Sequence, residues 1–141
     1  MEAPDPGFAE RVRELALAQP LLATIGAILT RVEPGEVEIE LPFRADLTQQ
    51  TGFLHAGIVT AMVDTACGAA AYSLMPAGSG VLSVEFKVNL LAPAVGRSLR
   101  AIGRVVRAGR TITVCQGEAY AVDDGRETAV ATMLATMIRR G

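Results

Sequence analysis

One carboxylate and one histidine frame the chemistry open to this chain. The only histidine, His55, opens an apolar, small-residue run, Ala56-Gly57-Ile58-Val59-Thr60-Ala61-Met62-Val63-Asp64-Thr65-Ala66-Cys67-Gly68-Ala69-Ala70-Ala71, in which Asp64 is the single acid. If the run is helical it is buried on most sides, and an ionised carboxylate in low dielectric is costly unless it has partners or a task. A helix starting at residues 56 to 58 leaves its first N–H groups without intrahelical acceptors, and those donors, with the helix dipole, favour a developing negative charge. Such a donor set polarises a carbonyl. Asp64, two turns further on, then has two open roles, deprotonating a water for attack or attacking the carbonyl itself. The plainer reading places Asp64 on one solvated stripe of the helix, because Asp is rarely fully buried. His55 reads better as a hydrogen-bonder that stabilises the turn than as the base.

The elements that must position these groups follow from the pattern. Phe8 to Ala18 carries Phe8, Val12, Leu15 and Ala16 at helical spacing, with Pro20 ending the pattern. Ile25 to Val32 and Glu36 to Phe43 flank Glu33-Pro34-Gly35, and Val37, Ile39 and Leu41 alternate with Glu36, Glu38 and Glu40, which predicts a hairpin with one solvated face. The central helix runs from residue 56 to near Met75-Pro76-Ala77-Gly78. Val81 to Leu91 alternates Leu82, Val84, Phe86, Val88 and Leu90, and strands follow at Ser98 to Arg107, Thr111 to Val122 and Glu127 to Ile138. These last four are expected to form an antiparallel meander. Residues 1–20 read as a tail with a short helix and residues 21–141 as one domain. The fold class is α+β, a strongly curved antiparallel sheet wrapped round the apolar helix.

Composition narrows the function. Half of the 141 residues are hydrophobic but only 4% are aromatic, so the core is built from Ala, Val, Leu, Ile and Met with close approach between elements. A formal charge of −2 gives no basic field for phosphate backbones and few aromatics are available for base stacking, so no nucleic-acid partner is expected. Residues 56–75 approach the length of a membrane span, but Asp64 at the centre costs about 2.5–3.5 kcal/mol there, so no membrane partner is expected. Met1 to Gly7 lacks the basic start and apolar core of a signal peptide, and a cytoplasmic location is expected. Cys67 and Cys115 have no metal-ligand spacing and read as small buried hydrophobes; no metal site is expected.

The stretch Gln49 to Ala71, with Gly-x-x-His-x-Gly and an acid nine residues after the His, followed by Leu82-Ser83-Val84-Glu85-Phe86 and Leu91-Ala92-Pro93-Ala94, resembles the hotdog-fold acyl-CoA thioesterases of the PaaI type over roughly Leu21 to Ile138. The resemblance implies the hotdog fold, hydrolysis of acyl-CoA to a free acid and coenzyme A, and no cofactor beyond the coenzyme A of the substrate. It also implies a homodimer, commonly paired into a homotetramer, with sites at the interface that use residues of both chains. By that resemblance Asp64 is the catalytic carboxylate, Gln49 lies near the reacting centre, and Ser83 helps to orient water. His55, Ala56 and Gly57 form the turn whose backbone N–H makes the oxyanion hole. The family has Gly where this chain has Ala56, and Ala supplies the same N–H provided its φ is negative. Phe53, Leu54, Met62 and Leu82 are candidates to line the acyl pocket, and Arg107 and Arg110, flanking Gly109, to meet the phosphates of coenzyme A.

Two other classes compete. A hotdog-type enoyl-CoA hydratase would carry Asp and His a few residues apart, whereas here the only His precedes Asp64 by nine. A non-catalytic acyl-CoA-binding regulator would usually bring a DNA-binding module, for which residues 1–20 are too short.

Overall fold

From the N-terminus the chain forms helix α1 (Phe8–Ala18), a short helix α2 (Pro20–Ile25), strands β1 (Ile28–Glu33) and β2 (Glu36–Pro42), and a 3-10 turn at Ala45–Leu47. The long helix α3 (Ala56–Ser73) and strands β3 (Gly80–Leu90), β4 (Ser98–Ala108), β5 (Ile112–Asp123) and β6 (Arg126–Arg140) follow. The computed structural model describes all of residues 1–141. Pro20 both ends one helix and begins another. It occupies the first turn of α2, where its missing N–H goes unneeded, and Gly26 at φ 82° closes that helix. The strand expected from Ile25 therefore starts at Ile28.

The six strands make one antiparallel sheet in the order β1-β2-β4-β5-β6-β3. The expected four-strand meander is thus corrected. β4, β5 and β6 are neighbours, but β3 crosses to the far edge and pairs with β6, leaving β4 to pair with β2. Residues 91–97 are longer than the two to five residues or so typical of a hairpin loop. Their backbone is also committed elsewhere: the Leu91 N–H donates to the Val130 carbonyl (2.8 Å), the Ala94 carbonyl accepts from the Leu54 N–H (2.9 Å), and the Arg97 N–H donates to the Val122 carbonyl (2.9 Å).

α3 lies on the inner face of this sheet, where Val37, Ile39, Leu99, Ala101, Cys115, Ala119, Met133 and Ala135 are buried. Gly103 and Gly117, paired across β4 and β5, let the sheet reach the helix. A Cβ on Gly103 would stand 2.4 Å from the carbonyl carbon and oxygen of Ala66, and one on Gly117 2.6 Å from Val63 Cγ1. The obstacle at Gly103 is helix backbone, which has no rotamer to yield. Gly103→Ala is therefore expected to destabilise the fold by about 3 kcal/mol, the upper end for an overpacked core. Urea unfolding checks this through a lower midpoint at unchanged m value.

The outer face is ionic. Arg31 pairs with Glu36 and Glu38, Arg100 with Glu127 (2.7 Å) and Glu38, and Arg104 with Glu118 (2.7 Å) and Glu36 (2.9 Å). Hydrogen bonds from Arg31 and from Arg100 hold the carboxyls of Glu36 and Glu127 respectively below the usual range. Charge on this side and apolar surface on the other leave α3 as the place where a lone carboxylate stands out.

Candidate active site

The start of α3 can be accounted for donor by donor. His55 is its N-cap, and the His55 Nδ1 accepts the Gly57 N–H at 2.8 Å, which leaves the proton of a neutral ring on Nε2. The His55 carbonyl accepts from Ile58 (2.9 Å) and Val59 (3.2 Å). Of the donors that open the helix, only the Ala56 N–H has no partner. Among non-glycine residues only Asp124 has a positive φ, so Ala56 adopts the negative φ that an alanine there requires. The histidine thus serves the turn, as expected from sequence, and in doing so occupies the Gly57 donor.

Gln49 is fixed in the loop before the helix. Its N–H donates to the Phe53 carbonyl (2.8 Å), its carbonyl accepts from Gly52 (3.1 Å), and Gly52 turns the chain at φ 86°. The side-chain Oε1 accepts both the backbone N–H and the hydroxyl of Thr51, at 2.5 and 2.6 Å. Its acceptor end being committed, the Gln49 amide presents its NH₂. Gln49, Phe53, Leu54, Ala56 and Val59 face Leu90 to Ala94 and Val130 across a largely apolar cleft of about 400 Å³. An uncommitted N–H and an amide therefore share one apolar wall.

Asp64 sits half-exposed on α3, between buried Val63 and Ala66, and accepts the Ser83 hydroxyl at 2.6 Å. The stripe reading and the partnered reading both hold, since the carboxylate lies on the less covered side of the helix and is also hydrogen-bonded. Ser83 reaches it through a β-bulge that regular alternation does not foresee. Ser83 pairs with Met137 and Glu85 with Thr136, so Val84 is an extra residue between them. Met137, Ala135 and Met133 are buried on the inner face, and their partners Ser83, Phe86 and Val88 share that face. Leu82, expected in line with Phe86 and Val88, lies instead on the outer face opposite Ile138 and is 51% exposed. Ser83→Ala removes the one hydrogen bond to Asp64. If the carboxylate works in the reaction, this variant is expected to stay folded and lose about 10- to 100-fold in rate, since bonds to charged groups contribute about 1.5–3 kcal/mol.

The remaining candidates lie elsewhere. Met62 is fully buried in the core. Arg107 pairs with Val114, while Arg110 lines a small cleft of about 190 Å³ with Thr113, Arg139 and the end of α3 at Leu74 to Pro76. Sequence reasoning missed Thr51, which orients Gln49, and Leu90 and Val130 in the cleft wall. Cys67 and Cys115 are buried as expected, and burial pushes both thiols up, Cys115 to about 12. Nowhere do three or more His, Cys, Asp or Glu converge to hold a metal ion, and no helix is long and apolar enough to cross a membrane.

A curved six-stranded antiparallel sheet wrapped round one helix is the hotdog arrangement, and here the helix carries a carboxylate and has an open N–H at its start. Comparison with known proteins agrees: residues 51–128 match the family model of the thioesterase superfamily, and the chain belongs to that family. It is 50% identical to a thioesterase family protein from Silicibacter pomeroyi, covering 94% of this chain and 98% of that one with a TM-score of 0.93. It is 30% identical over 105 residues to the proofreading thioesterase EntH of Klebsiella pneumoniae, covering 70% of this chain and 77% of that one. An esterase-named protein of Saccharolobus solfataricus is 32% identical over 62% of this chain, which spans only 61% of that relative's length. A Bacillus halodurans protein solved with CoA shares the fold at 22% identity and a TM-score of 0.79, covering 94% of this chain and 86% of that one.

Proposed function

We propose that this protein is an acyl-CoA thioesterase whose oxyanion hole is the Ala56 N–H and whose base or nucleophile is Asp64. The observation that carries the reading is the single uncommitted N–H at the start of α3, opening into an apolar cleft beside the Gln49 amide. A thioester carbonyl at that point receives two donors, and the helix dipole favours the oxyanion that forms. If Asp64 is the base, it takes a proton from water, the oxygen adds to the carbonyl carbon, and collapse expels the coenzyme A thiolate, which recovers the proton. If Asp64 is the nucleophile, its oxygen adds to the carbonyl carbon, and the C–S bond breaks to expel the coenzyme A thiolate and leave an acyl anhydride. Water then cleaves the anhydride, restoring the carboxylate, releasing the acid and giving a proton to the thiolate. Ser83 holds the carboxylate in either case. The chemistry needs no cofactor beyond the coenzyme A of a cytoplasmic substrate, in keeping with the CoA present in the Bacillus relative.

The reading also requires a second copy of the chain. Eight residues of α3 separate Ala56 from Asp64, about 12 Å along the axis, whereas reacting atoms must approach to roughly 3–3.5 Å. The carboxylate that serves a carbonyl at Ala56 therefore comes from the partner in a homodimer, itself able to pair into a homotetramer. β3 offers the edge for this, with Phe86 and Leu90 exposed at 41% and 54%. Sedimentation is expected to show an oligomer at micromolar concentration, and a lone 14.8 kDa species would contradict the proposal. The direct test is thiol release from short, medium, long and aromatic acyl-CoA substrates. Tight binding without thiol release would instead make the protein an acyl-CoA-binding module.

A further inference from the structure

A second cleft, of about 440 Å³, lies between α1, α2 and β1, at the end of the sheet opposite β3. It shares no lining residue with the cleft at Ala56 and includes neither Asp64 nor Ser83. Eight of its eleven lining residues are hydrophobic, among them Leu17, Leu22, Ile28 and Leu29. Leu17 is 86% exposed and Ile28 55%. A concave, mostly apolar site of a few hundred Å³ with few polar groups is the usual form of a small-molecule pocket.

Its charge says what kind of molecule fits. Two guanidinium groups border the cleft, and Arg31 is neutralised by Glu36 and Glu38. Arg13 is in no ion pair, unlike Arg11, Arg31, Arg44, Arg97, Arg100 and Arg104. The wall thus carries one uncommitted cation beside an apolar trough. That complements an amphiphile with a single anionic head and an aliphatic tail. A cationic head would meet the like charge of Arg13, and a coenzyme A ester would bring several phosphates to one guanidinium.

We propose that this cleft is a binding site for medium-chain carboxylates, with the tail along Leu22 and Leu29 and the head on Arg13. The site stands apart from the proposed thioesterase centre and does not depend on it.

Calorimetric titration of the intact protein with decanoate and with decylamine tests the site. Decanoate is expected to bind saturably, with the negative heat-capacity change of apolar burial, and decylamine not to bind. Arg13→Gln is expected to weaken decanoate at least tenfold, as loss of a charge-assisted hydrogen bond requires. Ala23→Trp fills the trough from an exposed position of α2 and is expected to abolish decanoate binding while leaving sedimentation and acyl-CoA turnover unchanged. Ile28→Asp, at an exposed strand edge, does the same by charge and stands in should the tryptophan variant misfold. Equal binding of decylamine, full affinity in Arg13→Gln, or decanoate binding that survives Ala23→Trp and Ile28→Asp would each overturn the proposal. So would dissociation of the oligomer by Ala23→Trp, which would make the cleft a contact between copies. Decanoate binding is read without acyl-CoA and turnover of the parent protein without decanoate, so the two readings fail separately.

Discussion

Asp64→Asn is expected to leave a folded, oligomeric protein that hydrolyses acyl-CoA at least 10²- to 10⁴-fold more slowly, roughly the range for a lost general base. Asparagine nearly matches aspartate in shape, and its carbonyl oxygen can still accept the Ser83 hydroxyl that lies 2.6 Å from the carboxylate. What disappears is the negative charge and the ability to take a proton or attack a carbonyl. Steady-state thiol release, with circular dichroism and sedimentation as controls, reads the effect. A folded variant with parental activity would remove Asp64 from the mechanism under either role.

Ala56→Pro is expected to lower kcat by about 10²-fold or more with a smaller change in KM, the mark of an interaction made mainly in the transition state. Proline is accepted in the first turn of a helix, where an N–H is not needed for the helix itself. The Ala56 N–H is the donor the helix leaves unused, so the fold survives its removal. Gly57 cannot take over, because its N–H is bonded to His55 Nδ1. Ala56→Gly keeps the donor and is expected to keep most of the activity. Mixing the two damaged proteins sharpens the test. In a heterodimer of Asp64→Asn with Ala56→Pro, one of the two symmetric sites has an intact N–H facing an intact carboxylate. Co-refolded mixtures should therefore recover activity well above the sum of the separate variants. A mixture no more active than its parents would place both groups in the same protomer's site.

What could be read from the sequence depended on whether the deciding interactions were local. The start of α3 at His55, the lone acid within it and the alternation of β2 are set within a few residues, and each lies where expected. The close contact of sheet and helix was legible as small-residue composition, though not its location at Gly103 and Gly117, which belongs to the pairing of β4 with β5. The position of β3 was hidden for the same reason. Alternation shows that Val81 to Leu91 is extended but not which strand receives it, and the loop that carries it across is held by Val130 and Leu54, distant in sequence. Pro20 was read as a stop because termination and initiation share one residue type. Gln49 was legible as a candidate, but its direction is decided by Thr51.

The extra residue in β3 has a consequence for how this strand tolerates change. Counting from Val81, the strand runs in one phase through Ser83 and in the opposite phase from Glu85 onward. The first phase turns the hydroxyl toward Asp64, and the second sets Phe86 and Val88 on the inner face, Val88 against the core and Phe86 on its open edge. Neither set depends on the other, because Val84 absorbs the half-period between them. Chain length here is thus constrained more tightly than residue identity. Removing Val84 would leave both phases standing in a strand without a kink, whereas inserting a residue after Glu85 would reverse every side chain on one side of the insertion while leaving composition and hydropathy almost untouched.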